Sequence, residues 1–219
     1  LLKVLFFALI VRPVVLIVLG LNIRHRQWLP KQGPAVLVAN HNSHLDTLVL
    51  MSLYPLRQIH RVRPVAAADY FLRNRLLAWF ALNIIGIIPL KRSGFKRDLF
   101  DQCHRALDSG DILLIFPEGS RGDAEQLGKI KSGVYHLLKE RRQVPVCPVM
   151  LHGLGMALPR GTALLVPYNC DVVIAEPRPI PDSSAAFIDD LAATFGQLSD
   201  QCLTRHLTEE AEHRGSDNQ

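Results

Sequence analysis

The heptapeptide Asn40-His41-Asn42-Ser43-His44-Leu45-Asp46 carries residue types that can move a proton together. It follows the apolar run Ala35-Val36-Leu37-Val38-Ala39 and leads into another from Leu48 to Leu53. A strand that stops at a polar turn and restarts as a helix is where open α/β sheets place their ligands. Across such a turn, His41 and Asp46 can come within hydrogen-bond reach. The carboxylate would then fix the imidazole tautomer and leave the other ring nitrogen as a general base. The same residues also have an architectural reading, because Ser43-x-x-Asp46 resembles a capping arrangement for a helix that begins near His44. A third reading takes His41, His44 and Asp46 as metal ligands of a hydrolase. Against it, His60, His104, His136 and His152 are scattered and offer no second cluster.

A second constellation stands further along the chain. Phe116-Pro117-Glu118-Gly119-Ser120-Arg121-Gly122 follows the strand-like run Ile112-Leu113-Leu114-Ile115. Proline and two glycines shape a tight turn that presents a carboxylate and a guanidinium together. A guanidinium is a planar fork suited to phosphate, so Arg121 is a candidate anion ligand. A simple Glu118–Arg121 pair within the turn is the competing account.

The combination of NHxSxxD and FPEGSRG resembles the glycerolipid acyltransferase family, which includes the 1-acylglycerol-3-phosphate (lysophosphatidic acid) acyltransferases. Two further blocks occur in matching order. Gly86-Ile87-Ile88-Pro89-Leu90-Lys91-Arg92 resembles the family's second block, which ends in a phosphate-binding arginine. Val144-Pro145-Val146-Cys147-Pro148-Val149 resembles its fourth, a strand with paired prolines. Lys129-Ile130-Lys131-Ser132-Gly133 is similar to the basic segment after the third block, and Ser120 and Gly122 stand where threonine and serine are more usual. The resemblance spans about residues 35 to 161. It implies His41 and Asp46 as catalytic residues, and Arg92, Arg121 and Lys131 on the acceptor's phosphate. Glu118, Gly119 and Ser120 would be substrate-binding or structural, Glu118 orienting a glycerol hydroxyl or a neighbouring strand end. The implied donor is an acyl-CoA or acyl carrier protein thioester, with no cofactor and no metal. The implied acceptor is lysophosphatidic acid, with another lysophospholipid or glycerol-3-phosphate as the nearest rivals. A non-catalytic lipid-binding protein would leave the His–Asp pair and the arginines unexplained.

Composition is compatible with that reading. With 219 residues and 48% hydrophobic content, the chain can bury one core. A net charge of +5 favours an anionic partner such as a phosphorylated substrate or a lipid surface. Nucleic acid fits poorly, since the basic residues are scattered and no recognised motif interleaves them with aromatics. Cys103, Cys147, Cys170 and Cys202 include no C-x-x-C pair, which argues against a zinc ribbon and for a reducing setting.

From Leu1 to Leu21 the chain is apolar apart from Lys3, Arg12, Pro13 and Gly20. Twenty helical residues would cover a bilayer core, but Arg12-Pro13 near the middle makes a straight span costly and kink-prone. We therefore expect residues 1–21 to form a membrane-embedded or interfacial helical segment, with membrane lipids as partners. A signal peptide is the rival, but no small-x-small site follows. Arg24, His25 and Arg26 would favour the cytoplasmic face of the inner membrane.

The remaining pattern predicts strands at 35–39, 63–68, 84–90, 112–116, 144–151, 163–167 and 170–175. Helices are predicted at 71–82, 96–109, 133–141 and 184–207. This alternation predicts an α/β domain over 22–207 with a largely parallel or mixed sheet flanked by helices. A polar, disordered tail is expected over 208–219. The apolar run Leu76–Leu90 reads as a core helix feeding a buried strand, or as a wall that meets an acyl chain or lipid.

Overall fold

A computed structural model describes residues 1–90, 99–120, 122, 125–158 and 165–205. The strands are β1 (Leu19–Arg24), β2 (Ala35–Ala39), β3 (Val62–Ala67), β4 (Ile88–Leu90), β5 (Ile112–Ile115), β6 (Val146–His152) and β7 (Tyr168–Ile174). They form one seven-stranded sheet in the order β1-β7-β6-β2-β5-β3-β4. Neighbours run parallel except β6 and β7, which are antiparallel, so the sheet is mixed. Because β2 and β5 are parallel neighbours, Val38 pairs with Ile115. The turns that leave the two strands, at Asn40 and Phe116, therefore emerge side by side at the carboxyl edge.

The central strands β2 and β5 read as continuous apolar runs because both of their faces are covered. Alternate residues of β2 divide between two cores. Ala35, Leu37 and Ala39 point to one, and Val36 and Val38 to the other. The first core contains the amino-terminal segment and α2 (Leu45–Ser52). The second contains α5 (Asp101–Asp108), α6 (Gly133–Leu138) and α8 (Ser184–Ser199). Burial raises the thiol pKa of Cys103, Cys147, Cys170 and Cys202 to about 12.

The amino-terminal segment differs from the expectation at its far end. The helical run covers residues 2–18, as α1 (Leu2–Phe6) continued by π-helical turns Phe7–Val11 and Val14–Val18. Leu19 then begins β1, paired in parallel with β7. Gly20 allows that pairing, because a Cβ there would overlap the side chain of Asn169. Phe7, Val11 and Val15, four residues apart, bury one face of the run in the first core. On the other face, Leu9 (70% exposed), Leu16 (77%) and Ile17 (82%) stand open. The Arg12 guanidinium turns inward and donates to the Tyr54 carbonyl at 2.9 Å. No helix of the described residues is long and apolar enough to cross a membrane. The basic flank is engaged within the protein. Arg24 donates to the Gln201 carbonyl (2.7 Å), His25 meets the Gln201 amide oxygen (3.0 Å), and Arg26 donates to the Leu53 carbonyl (3.1 Å).

The segment 68–90 also departs from its expected form. A turn separates α3 (Ala68–Phe71) from α4 (Arg75–Trp79), whose amino end is capped by the Asn74 side chain accepting from Leu76 N–H at 2.9 Å. The expected strand 84–90 shrinks to Ile88–Leu90, because α4 continues as a π-helical turn through Ile85. Gly86, at φ 77°, ends it in the left-handed conformation that glycine adopts freely. A short apolar run has no periodicity to separate buried helix from buried strand. Its burial is divided. Ala81, Ile84, Ile85, Ile87 and Ile88 are buried, whereas Leu76, Trp79 and Leu82 are exposed.

Elsewhere the boundaries shift. The helix expected to 207 stops at Ser199, and residues 165–167 form no strand. The rest of the 163–167 expectation and the tail 208–219 lie outside the described residues.

All four cysteines are buried with raised thiol pKa values. The native protein should therefore leave Ellman's reagent unreacted while the urea-denatured chain titrates four thiols. Rapid native labelling of any cysteine would contradict this packing.

Candidate active site

β2 ends at Ala39, and the side chain of Asn40 extends its pairing beyond the strand. The Asn40 carboxamide accepts from Leu151 N–H (2.7 Å) and donates to the Leu151 carbonyl (2.8 Å), replacing a ladder step with a side chain. The start of the following turn is thereby clipped to β6.

His41 comes next, half-buried, with its ring stacked on Phe116 at 4.0 Å between centroids and 18° between planes. Its Nδ1 lies 2.9 Å from Asp46 Oδ2. An ionised carboxylate only accepts, so the hydrogen-bond partners assign the ring proton to Nδ1 and leave Nε2 as the acceptor. Asp46 sits in the first turn of α2 and is fully buried. The same Oδ2 accepts from the backbone N–H groups of Asn42 (2.7 Å) and Ser43 (2.9 Å). The bond to Ser43 N–H resembles one half of a capping box set one residue before the N-cap, which is His44. The other half is displaced, since Ser43 Oγ accepts from Leu45 N–H at 3.3 Å. The architectural and chemical readings of Asp46 thus coexist: one oxygen shapes the turn and holds the imidazole.

The second constellation supports the first from behind. Glu118 is 4% exposed, and both oxygens of its carboxylate face backbone donors. Oε1 accepts from His41 N–H (2.8 Å) and Oε2 from Gly128 N–H (2.9 Å). Burial raises its pKa above the ordinary glutamate value, and the two N–H groups act in the opposite direction. Gly122 N–H donates to the His41 carbonyl at 3.1 Å, so both polar groups of the His41 backbone are tied to this turn. Gly119 has φ 72°, and a Cβ there would meet the Lys131 ammonium at 2.9 Å. Lys131, Gly119 and Glu118 therefore belong to one locality, with Ser120 exposed at its rim.

Arg92 and Arg121 lie outside the described residues. His44 is exposed at the N-cap of α2. Among the described residues, no three His, Cys, Asp or Glu side chains are placed to hold a metal ion. Sequence reasoning passed over four residues around this site: Asn40, Asn42, Glu125 and His152. Asn40 and Asn42 flank His41 and could have been questioned on that ground. Nothing in the spacing of Glu125 or His152 points to the turn they approach.

The family model described as Acyltransferase matches residues 20–152. The chain belongs to that acyltransferase family. Curated relatives include the chloroplastic 1-acyl-sn-glycerol-3-phosphate acyltransferase BAT2 of Brassica napus, 30% identical over 161 residues. Another is 1-acyl-sn-glycerol-3-phosphate acyltransferase alpha of Homo sapiens, 27% identical over 175 residues. These alignments cover 73% and 77% of this chain but 44% and 59% of the relatives, so the chain spans about half their length. Among solved structures, the fold matches the 1-acyl-sn-glycerophosphate (LPA) acyltransferase PlsC from Thermotoga maritima with a TM-score of 0.71. That match is 17% identical and covers 91% of this chain and 78% of the other.

Glu118 sets up a stability test. Glu118→Gln should lower the unfolding free energy by about 1–3 kcal/mol, because an amide offers one acceptor where two buried N–H groups each need one. Urea denaturation followed by circular dichroism would measure it, and an unchanged midpoint would mean that these bonds do not hold the turn.

Proposed function

We propose that this protein transfers a fatty acyl group from an acyl-CoA or acyl carrier protein thioester to the free hydroxyl of lysophosphatidic acid, giving phosphatidic acid. The observation that carries the reading is the 2.9 Å contact between His41 Nδ1 and the buried Asp46 carboxylate. It presents Nε2 as a base at the carboxyl edge of the sheet. The 1-acyl-sn-glycerol-3-phosphate acyltransferases among its relatives support the choice of acceptor.

In this mechanism, His41 Nε2 takes the acceptor's hydroxyl proton as that oxygen attacks the thioester carbonyl. Asp46 stabilises the imidazolium that forms. The tetrahedral intermediate collapses with loss of the thiolate, which takes the proton back from Nε2. No covalent acyl-enzyme is needed. Arg92, Arg121 and Lys131 hold the acceptor's phosphate, which aligns its hydroxyl with the base and converts binding into rate. Glu118 acts through the backbone of His41 rather than on substrate.

We further propose interfacial membrane attachment through the outer face of residues 2–18. Leu9, Leu16 and Ile17 form an open apolar surface, while the opposite side of the run packs into the core. The basic flank Arg24–Arg26 supports the cytoplasmic face of the inner membrane, although each of these residues also bonds within the protein.

Transfer is tested by thiol release from acyl-CoA or acyl carrier protein with lysophosphatidic acid as acceptor. His41→Ala should abolish nearly all transfer with folding intact, and His44→Ala should cost less than about fivefold, well below the roughly 10²–10⁴-fold effect of losing a general base. Activity should survive exhaustive chelation. Equal loss from both substitutions, or revival of chelated enzyme by zinc or manganese, would replace this mechanism with a metal-centred one.

Attachment is tested on the surface rather than by truncation, because deleting residues 1–21 would also remove Phe7, Val11 and Val15 from the core. Leu9→Ser, Leu16→Ser and Ile17→Ser together should weaken binding to anionic vesicles in flotation by at least tenfold, with little change in melting temperature. Undiminished flotation would move the anchor to the exposed side chains Leu76, Trp79 and Leu82.

A further inference from the structure

A chain of buried polar groups runs from the turn that holds Asp46 to the far edge of the sheet. Asn42 begins it. Its backbone N–H donates to Asp46, and its side-chain amide donates to Glu125 Oε2 at 3.2 Å. The other Glu125 oxygen accepts from Gly155 N–H at 3.0 Å, just beyond the end of β6. Nε2 of His152, the last residue of β6, lies 3.7 Å from Glu125 Oε2, and its Nδ1 lies 2.7 Å from Thr204 Oγ1. Thr204 in turn donates both its hydroxyl (2.6 Å) and its N–H (2.7 Å) to Asp171 Oδ2 on β7. Asn22 on β1 donates to Asp171 Oδ1 at 2.6 Å. Asn42, His152, Thr204 and Asp171 are all buried.

The proton count along this chain is constrained. Thr204 has one hydroxyl proton, which goes to Asp171, so its oxygen accepts from His152 Nδ1–H. His152 Nε2 then faces a carboxylate oxygen, and two lone pairs would repel there unless one group carries a further proton. Burial raises the pKa of Glu125, and the nearby Asp46 carboxylate adds to the rise; His152 and the N–H groups of Gly153 and Gly155 oppose it. At 3.7 Å, Glu125 and His152 face each other as a close polar pair without a direct hydrogen bond between them. The Glu125 backbone stands at φ 60°, a conformation that non-glycine residues hold only where their surroundings demand it.

Resting on the acyl-transfer reading above, we propose that the Glu125–His152 pair is a positioning device for the His41–Asp46 base. It anchors the Asn42 side chain, so that the Asn42 backbone N–H stays aimed at Asp46 Oδ2 and the carboxylate stays in line with the imidazole. The anchor is transmitted across β6, β7 and β1, which lets the base share the rigidity of the sheet. Asn42 thus links the sheet to the base, its side chain held by Glu125 and its backbone by Asp46.

The test measures transfer kinetics and melting temperature for Glu125→Ala, Glu125→Gln, Asn42→Ala and the Glu125→Ala/Asn42→Ala double variant, with His41→Ala in the same assay. Glu125→Ala should lower kcat by roughly 10- to 100-fold, the scale of a base displaced by an ångström or less, and change the KM of either substrate less than about threefold. Glu125→Gln should recover to within about fivefold of wild type. Its amide can accept from Gly155 and donate to Asn42 Oδ1, a buried atom without a partner among the described residues. The double variant should be no worse than the poorer single one, because both remove the same tether. If Glu125→Ala does not fold, Asn42→Ala carries the test, since it removes the tether and keeps the backbone N–H. Folded Glu125→Ala or Asn42→Ala with wild-type kcat, an additive double variant, or no recovery in Glu125→Gln would each overturn the positioning role. Full transfer by His41→Ala would instead overturn the base assignment, and the inference with it.

Discussion

One oxygen atom carries much of the architecture of this site. Asp46 Oδ2 accepts from the His41 ring and from the N–H groups of Asn42 and Ser43, all within 2.9 Å. A buried carboxylate is tolerated only where donors replace lost water, and this turn supplies three of them to one atom. The turn, the start of α2 and the orientation of the imidazole consequently depend on each other. Disturbing any one of them changes the other two.

That local knot would drift without the sheet beneath it. Parallel pairing of β2 with β5 puts the His41 and Glu118 turns next to each other, and pairing of β2 with β6 brings Leu151 within reach of Asn40. Glu118 then binds the His41 backbone from one side, while the Asn40 amide clips the turn's first residue from the other. Backbone N–H groups bond each oxygen of Glu118 and supply two of the donors to Asp46. Holding buried carboxylates with main-chain dipoles avoids the desolvation of paired cations.

The amino-terminal run serves two surfaces at once. Phe7, Val11 and Val15 are part of the first core, and Leu19 passes directly into a strand of the main sheet. The run is therefore integral to the domain rather than appended to it. Its outer side remains as apolar as its inner side, which a water-facing helix of this length would not need.

Residue order was enough for an α/β fold with a mixed sheet. The His41–Asp46 spacing left capping and metal-ligand readings open until the family resemblance and then the 2.9 Å contact singled out the pair. β–α alternation forces a sheet covered on both faces, and a five-residue spacing across a strand-to-helix turn has few geometries open to it. Local signals also placed β2, β3 and β5 to within a residue, since each is a short apolar run between turn formers. They failed over 80–90, where an unbroken apolar run is equally consistent with a π-helical turn and a strand, and at Leu19, where strand pairing with β7 overrode helical continuation. Glu118 was visible by type, yet its task of binding two distant N–H groups follows from β2–β5 adjacency. The contacts of Glu125, His152, Thr204 and Asp171 could come only from the tertiary structure. Their partners lie tens of residues apart, and no periodicity or spacing encodes which buried polar groups will meet once seven strands are ordered.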